Sequence, residues 1–359
     1  MKARVLHFTA ALALVTLGTA CDSADKKTKS DAPAASSAKP KSKLEQAIAA
    51  AGASSAGPSA PDQGKGPPAT GVFAAGLGDV EQPSGAPPKL TMVSVGSEPK
   101  LVLSSKGLAA GTRLAVSVNA TAFQGPLPAM LYTLEVAGDD APAKPDAKAA
   151  PDAGRTLVLN VKKAEIDPKW PGKLQEGAGK LLARLTGSKL NATLTPEGSL
   201  AELKVVASKD AKEIEYILEA LAQSLGFVFL PVPKESVGTG ASWLVADRTR
   251  IHGMELIRYR AATVQKLQGD DLVIGVDVRH YAPSAAALPE GLPAGVETLR
   301  LESFGQATFA RKASDSTPLV AKFGWPIDIV IGKGGQPAGK LHAEVQVELQ
   351  PAVSNASTK

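Results

Sequence analysis

From Pro231 to Val278 the chain writes out β-type runs around a tight turn, and this stretch constrains the fold more than any other. It opens with Pro231-x-Pro233 and a Gly238-Thr239-Gly240 turn, and Trp243 starts a long β-type run. Within that run Glu255, Ile257 and Tyr259 alternate with Leu256, Arg258 and Arg260. A turn at Gly269-Asp270-Asp271 follows. Then Leu272, Ile274, Val276 and Val278 alternate with Val273, Gly275, Asp277 and Arg279, apolar on one face and mixed on the other. Alternation on both sides of a Gly-Asp turn is the pattern of an antiparallel hairpin, which has to build outward into a sheet.

The rest of the folded part agrees. Leu90–Val95, Leu101–Leu103, Arg113–Asn119, Met130–Val136 and Thr156–Ile166 read as strands, and Leu190–Val206 as a hairpin around Pro196-Glu197-Gly198. A second glycine-centred hairpin is expected over Thr298–Phe309. Leu319–Phe323, Ile327–Ile331 and Leu341–Leu349 supply the last strands. Two helices interrupt them. Lys173–Leu185 is modest, weakened by Gly177 and Gly179. The better one starts at a capping-box-like Asp210/Glu213, runs Ala211–Leu225 with Ile214, Ile217, Leu218, Leu221 and Leu225 as one stripe, and ends at Gly226. The expected fold is therefore one α+β domain over residues 89–351: a large curved antiparallel β-sheet, half-barrel-like, with the long helix on its concave face. A weak internal repeat shows through: Gly111-x-x-Leu114-x-Val116 parallels Gly240-x-x-Trp243-x-Val245, and Leu194-x-x-x-Gly198 parallels Leu301-x-x-x-Gly305. Antiparallel strands in general produce similar likenesses.

The N-terminal part is of a different kind. Lys2 and Arg4, the apolar run Val5–Leu17 and the small residues Gly18-Thr19-Ala20 read as an export signal over residues 1–20. Cys21, the sole cysteine, sits where a bacterial lipoprotein signal places its lipidated residue, although Gly18 occupies the usual leucine position. The alternative is ordinary signal cleavage that releases a soluble protein. Either way the protein is expected to be exported, and on the first reading it is lipid-anchored in the bacterial envelope, facing the periplasm or cell surface. Residues 22–88, rich in Ala, Ser, Pro and Lys, read as a disordered tether spanning about 45 Å, Asp139–Gly154 as a low-complexity insertion, and residues 352–359 as a frayed end.

The search for chemistry is mostly negative. Gly334–Lys340 matches a phosphate-loop spacing, but Leu341 stands where a hydroxyl residue would hold magnesium, and a strand follows instead of a helix. It reads as a hairpin loop. His252, His280 and His342 lack partners at metal-ligand spacing, and no nucleophile elbow is present, so neither catalytic residues nor a metal or other cofactor is expected. The net charge of +5 is scattered, which with export argues against nucleic acid. Two sets of residues remain. Arg248, Arg250, Arg258 and Arg260 alternate as a candidate cationic strip, or else form a solvated sheet face. Ile214, Leu218, Leu221, Phe227, Phe229, Trp243 and Tyr259 are candidates for an apolar ligand groove, or else simply core.

The segment Pro231-x-Pro233-x4-Gly238-x-Gly240-x-x-Trp243, with the Gly198 hairpin and the Asp210 helix before it, resembles an uncharacterised family of secreted bacterial β-rich lipoproteins. The likeness covers roughly residues 105–285, and Gly240-Ala241-Ser242-Trp243 departs from the family pattern by spacing. It implies a β-rich domain and carries over no catalytic residue. The expected function is a membrane-tethered, non-enzymatic binding or carrier module for an apolar or lipid-like ligand. The alternative is a structural or protein-interaction lipoprotein of the envelope with no small ligand. A cavity between the sheet and the long helix favours the first, and a filled interior the second.

Overall fold

The structure is a computed structural model that describes residues 67–122, 125–137, 154–170, 175–251 and 253–352. The export signal, Cys21, most of the expected tether, the insertion apart from Gly154, and residues 353–359 lie outside the described residues. In chain order the elements are α1 (Leu77–Glu81), β1 (Lys89–Ser94), β2 (Arg113–Ala122), β3 (Gly125–Pro126), β4 (Met130–Val136), β5 (Arg155–Ile166), α2 (Gln175–Ala183), β6 (Lys189–Leu194) and β7 (Leu200–Val206). A 3-10 turn (Lys212–Ile214) leads into α3 (Glu215–Val228). Then come β8 (Ser242–Ile251), β9 (Met254–Gln268), β10 (Asp271–Tyr281), β11 (Glu297–Ser303), β12 (Gly305–Lys312), β13 (Pro318–Lys333) and β14 (Gln336–Pro351).

All strands join one antiparallel sheet in the order β1-β8-β9-β10-β12-β13-β14-β2-β4-β5-β6-β7, with β11 beside β13 and β3 beside β2. The expected α+β class, a large open antiparallel sheet with few helices, is what forms. The sheet curls. One face is lined by Ile274, Phe309, Phe323, Trp325, Val347, Val116, Tyr132 and Leu159, all buried, and α3 closes over it between β7 and β8. The α3 stripe forms as expected, with Ile214, Leu218, Leu221 and Leu225 buried.

Five expectations change. The helix start is not a capping box, because neither the 3-10 turn nor α3 carries a side-chain cap. Instead Arg184 holds the region, donating from Nε to the Asp210 carbonyl (2.5 Å) and from Nη2 to the Glu213 carboxylate (3.2 Å). Gly226 does not end the helix, which runs on to Val228. Buried contacts of Phe227 and Val228 compensate for the weak helical preference of glycine.

The run after Trp243 is two strands, folded back at Gly253 (φ 77°) so that Ile251 pairs with Met254. Conversely, Thr298–Phe309 is not a hairpin. β11 and β12 both pair with β13, Ser303 opposite Ile327 and Gln306 opposite Gly324, with no shift of register across the break between them. The break at Phe304 lies opposite Pro326, whose ring nitrogen has no hydrogen to give the ladder. A hairpin and a kinked single strand share the same alternation, so periodicity could not separate them. The Leu194/Leu301 likeness of the internal repeat therefore joins a true hairpin, β6–β7, to a continuous strand.

The fifth change concerns the ordered boundary, which lies earlier than residue 89. Phe73 is buried against Tyr281 (ring centroids 6.0 Å), and with Leu244, Ala246, Ile257 and Tyr259 it forms a second core on the other face of β8–β10. Tyr259 donates its hydroxyl to Glu81 (2.6 Å). The α1 segment is thus a third helix, packed where a tether was expected.

Candidate functional site

The groove residues do not line a groove. Ile214, Leu218, Leu221, Phe227 and Phe229 fill the space between α3 and the sheet. Phe227 stacks on both Phe323 (4.7 Å) and Trp325 (4.9 Å). Trp243 is fully buried, donating its indole N–H to the Pro231 carbonyl (3.0 Å). A gap among the described residues beside Phe229, Phe309 and Arg311 amounts to about 20 Å³, room for one water. Tyr259 faces the opposite side of the sheet, in the second core. The set is core, divided between two faces.

The cationic strip is divided as well. A two-residue turn pairs even-numbered residues of β8 with odd-numbered ones of β9 and odd with even, as in Arg248 with Ile257 and Asp247 with Arg258. Arg248 and Arg250 therefore share a face with Ile257 and Tyr259, whereas Arg258 and Arg260 point inward. Arg250 is exposed. Arg248 anchors the N-terminal segment, donating to the carbonyls of Gln82 (2.6 Å) and Gly78 (3.2 Å) and pairing with Asp79 (2.6 Å).

Inside, Asp247 accepts from Arg258 Nε (2.9 Å) and Nη2 (2.7 Å) and from Arg260 Nη2 (2.7 Å). Burial pushes the Asp247 carboxyl up, but the two guanidinium groups outweigh it and hold it below the usual range. Two buried cations against one anion leave an excess. The carbonyls of Gly226 and Phe227, at the negative end of α3, lie 3.4 Å from Arg258 Nη2 and Arg260 Nη1. Arg258 also sits over the Phe227 ring at 5.5 Å. The cluster is a clamp that caps α3 from the sheet. Asp247 was overlooked in the sequence, where its signal was a charge at an inward position after Trp243 and Val245.

His280, buried opposite Arg258 in the ladder, places Nδ1 2.8 Å from the Ser303 hydroxyl. A serine on a histidine is the geometry of a nucleophile and its base. Burial, then the positive charge of Arg258, presses this imidazole down to about 3, so it is a poor proton acceptor near neutral pH. Its Nε2 has no hydrogen-bond partner and so no carboxylate to orient it. The contact is structural. Among the described residues no group of His, Cys, Asp or Glu gathers to hold a metal, and no helix is long and apolar enough to cross a membrane.

The opposite face of β12, β13, β14 and β2 is an open trough of about 710 Å³. The ladders set its floor in rows. One row runs Gln306, Gly324, Gln346, Asn119 across four adjacent strands. Flanking it on one side are Pro326 and Glu344, with Phe304 at the strand break, and on the other Lys322, Glu348 and Ser117. Lys322 pairs with Glu348 (2.8 Å), and Gln346 donates to Glu344 (2.8 Å). Phe304 is 43% exposed, with the Arg279 guanidinium over its ring at 5.6 Å. None of these trough residues stood out in the sequence, because the rows they form run across strands that are distant in the chain.

No family model matches the chain, and no curated protein matches it. Among solved structures it is similar to one described as "Lipid-protein interactions in lipovitellin", with a TM-score of 0.38 and 11% identity. That likeness covers 69% of this chain, which spans only 26% of the other. At that score it carries no argument about function.

Proposed function

We propose that the protein is an exported, lipid-anchored, non-enzymatic binding module of the bacterial envelope that works through the outer trough. One contrast carries this reading: among the described residues the gap beside α3 at Phe229, Phe309 and Arg311 holds about 20 Å³, whereas the outer face opens a trough of about 710 Å³. A carrier of an apolar or lipid-like ligand needs room between α3 and the sheet, and the aromatic stack of Phe227, Phe323 and Trp325 occupies it. The polar trough faces outward instead, ready for a partner outside the molecule. The export signal and Cys21 supply the membrane attachment in this reading.

The test uses the full chain in a bacterial envelope with a photo-crosslinking residue in place of Lys322 or Gln346, and at Lys333 beside the far hairpin turn as control. Crosslinked envelope material concentrated at the trough positions is the expected result, together with a bare polypeptide mass in native mass spectrometry. Equal crosslinking at all three positions argues against the trough. Extra mass that organic solvent removes argues for the carrier.

A further inference from the structure

We infer that the trough binds a neutral or amine-bearing glycan chain, an assignment that rests on the binding-module reading and names its ligand class. The floor row contains three primary amides, Gln306, Gln346 and Asn119, in cross-strand register. A primary amide presents two donors and an acceptor oxygen in one plane, which suits adjacent sugar hydroxyls that donate and accept at once. The fourth member of the row is Gly324. A Cβ there would meet the Val345 carbonyl oxygen at 3.1 Å and Gln346 Cγ at 3.3 Å. Glycine keeps the floor low and leaves Gln346 its place.

Beside this polar floor, Phe304 and Pro326 provide an apolar end. An exposed aromatic ring next to hydrogen-bonding groups matches the two kinds of surface on a pyranose, its C–H face and its hydroxyl rim. The trough volume, about 710 Å³, lies within the roughly 300–1,000 Å³ of small-ligand clefts, and the open shape lets a chain continue past it.

Two competing ligand classes fit less well. Among the lining residues Asp167, Glu344 and Glu348 outnumber the one cation, Lys322, and Arg279 lies at the edge over Phe304, so phosphate-bearing polymers and anionic lipid headgroups meet mostly like charge. An extended peptide gains much of its affinity from main-chain hydrogen bonds to a free strand edge. Here β12, β13, β14 and β2 each have neighbours on both sides, so no such edge faces the trough.

The experiment titrates the full chain with chitohexaose, cellohexaose and a chitosan hexamer by calorimetry. Saturable binding of at least one is expected, weakened about tenfold or more by Phe304→Ala and by Gln346→Ala. Lys340→Ala, outside the trough lining, leaves the affinity unchanged, and Tm shows that the variants are folded. No saturation by any of the three up to about 10 mM overturns the inference, as does equal affinity in both trough variants. If no glycan binds while crosslinking still concentrates at Lys322 and Gln346, the glycan assignment falls and the binding module stands. If crosslinking is also even, both fall.

Discussion

At the scale of single residues, Asp247 has the largest predicted consequence. Among the described residues it is the one carboxylate paired with Arg258 and Arg260, both buried. Burial, and then the charge of Arg258, lower the Arg260 guanidinium to about 9, a sign of how closely these cations are held. Asp247→Asn leaves two buried cations without a counter-charge. It is expected to destabilise the protein by about 3–5 kcal/mol in urea unfolding, and Arg260→Met is expected to recover part of that loss. His280 sets a second expectation. Its folded value is depressed to about 3 from 6.5, so the unfolded chain takes up the proton first. The folded state keeps its full advantage above about pH 6.5 and loses it progressively as pH falls towards about 3. The groups facing this imidazole are Arg258, Asp247, Arg260, Ser303 and Trp325. Unfolding free energies measured between pH 7 and pH 4 should slope downward, and His280→Gln should flatten that slope.

At the scale of elements, the α3 helix shows both what its stripe reveals and what it hides. The pattern of Ile214, Leu218, Leu221 and Leu225 gave the helix and its buried face. Gly226 read as a terminator because glycine commonly ends helices, yet the end is set by Arg258 and Arg260 reaching from β9, which no local pattern records. A Cβ at Gly226 meets nothing within 4 Å, and its φ is not positive. Gly226→Ala should therefore stabilise the protein by about 0.5–1 kcal/mol, measured by thermal or urea unfolding. Among the strands, β10 and the tight turn at Gly334-Gly335 were legible, since their alternation and positive-φ glycines are local properties. The β11–β12 continuity was not, because Pro326 interrupts the ladder from 22 residues away in sequence, opposite Phe304.

At the scale of the whole molecule, the segment from residue 67 to β1 belongs to the domain. It covers the outer face of β8–β10 through Phe73, while Arg248 holds Gly78, Asp79 and Gln82. A chain beginning at residue 89 loses that cover, exposes Tyr259 and Tyr281, and should melt several degrees below one beginning at residue 67, by calorimetry. Membrane attachment is tested separately: labelled palmitate should enter the full chain in a bacterial host and be absent from Cys21→Ala.

The sequence by itself determined the antiparallel class, the inward faces of β10 and β14 and the stripe of α3, because residue spacing alone fixes which side chains share a face. Tertiary structure alone decided that the arginines divide between two faces and that Phe227, Phe323 and Trp325 stack beneath α3. It also decided that three amides and a glycine meet in one row, since strand register joins residues from Asn119 to Gln346 that share no local pattern.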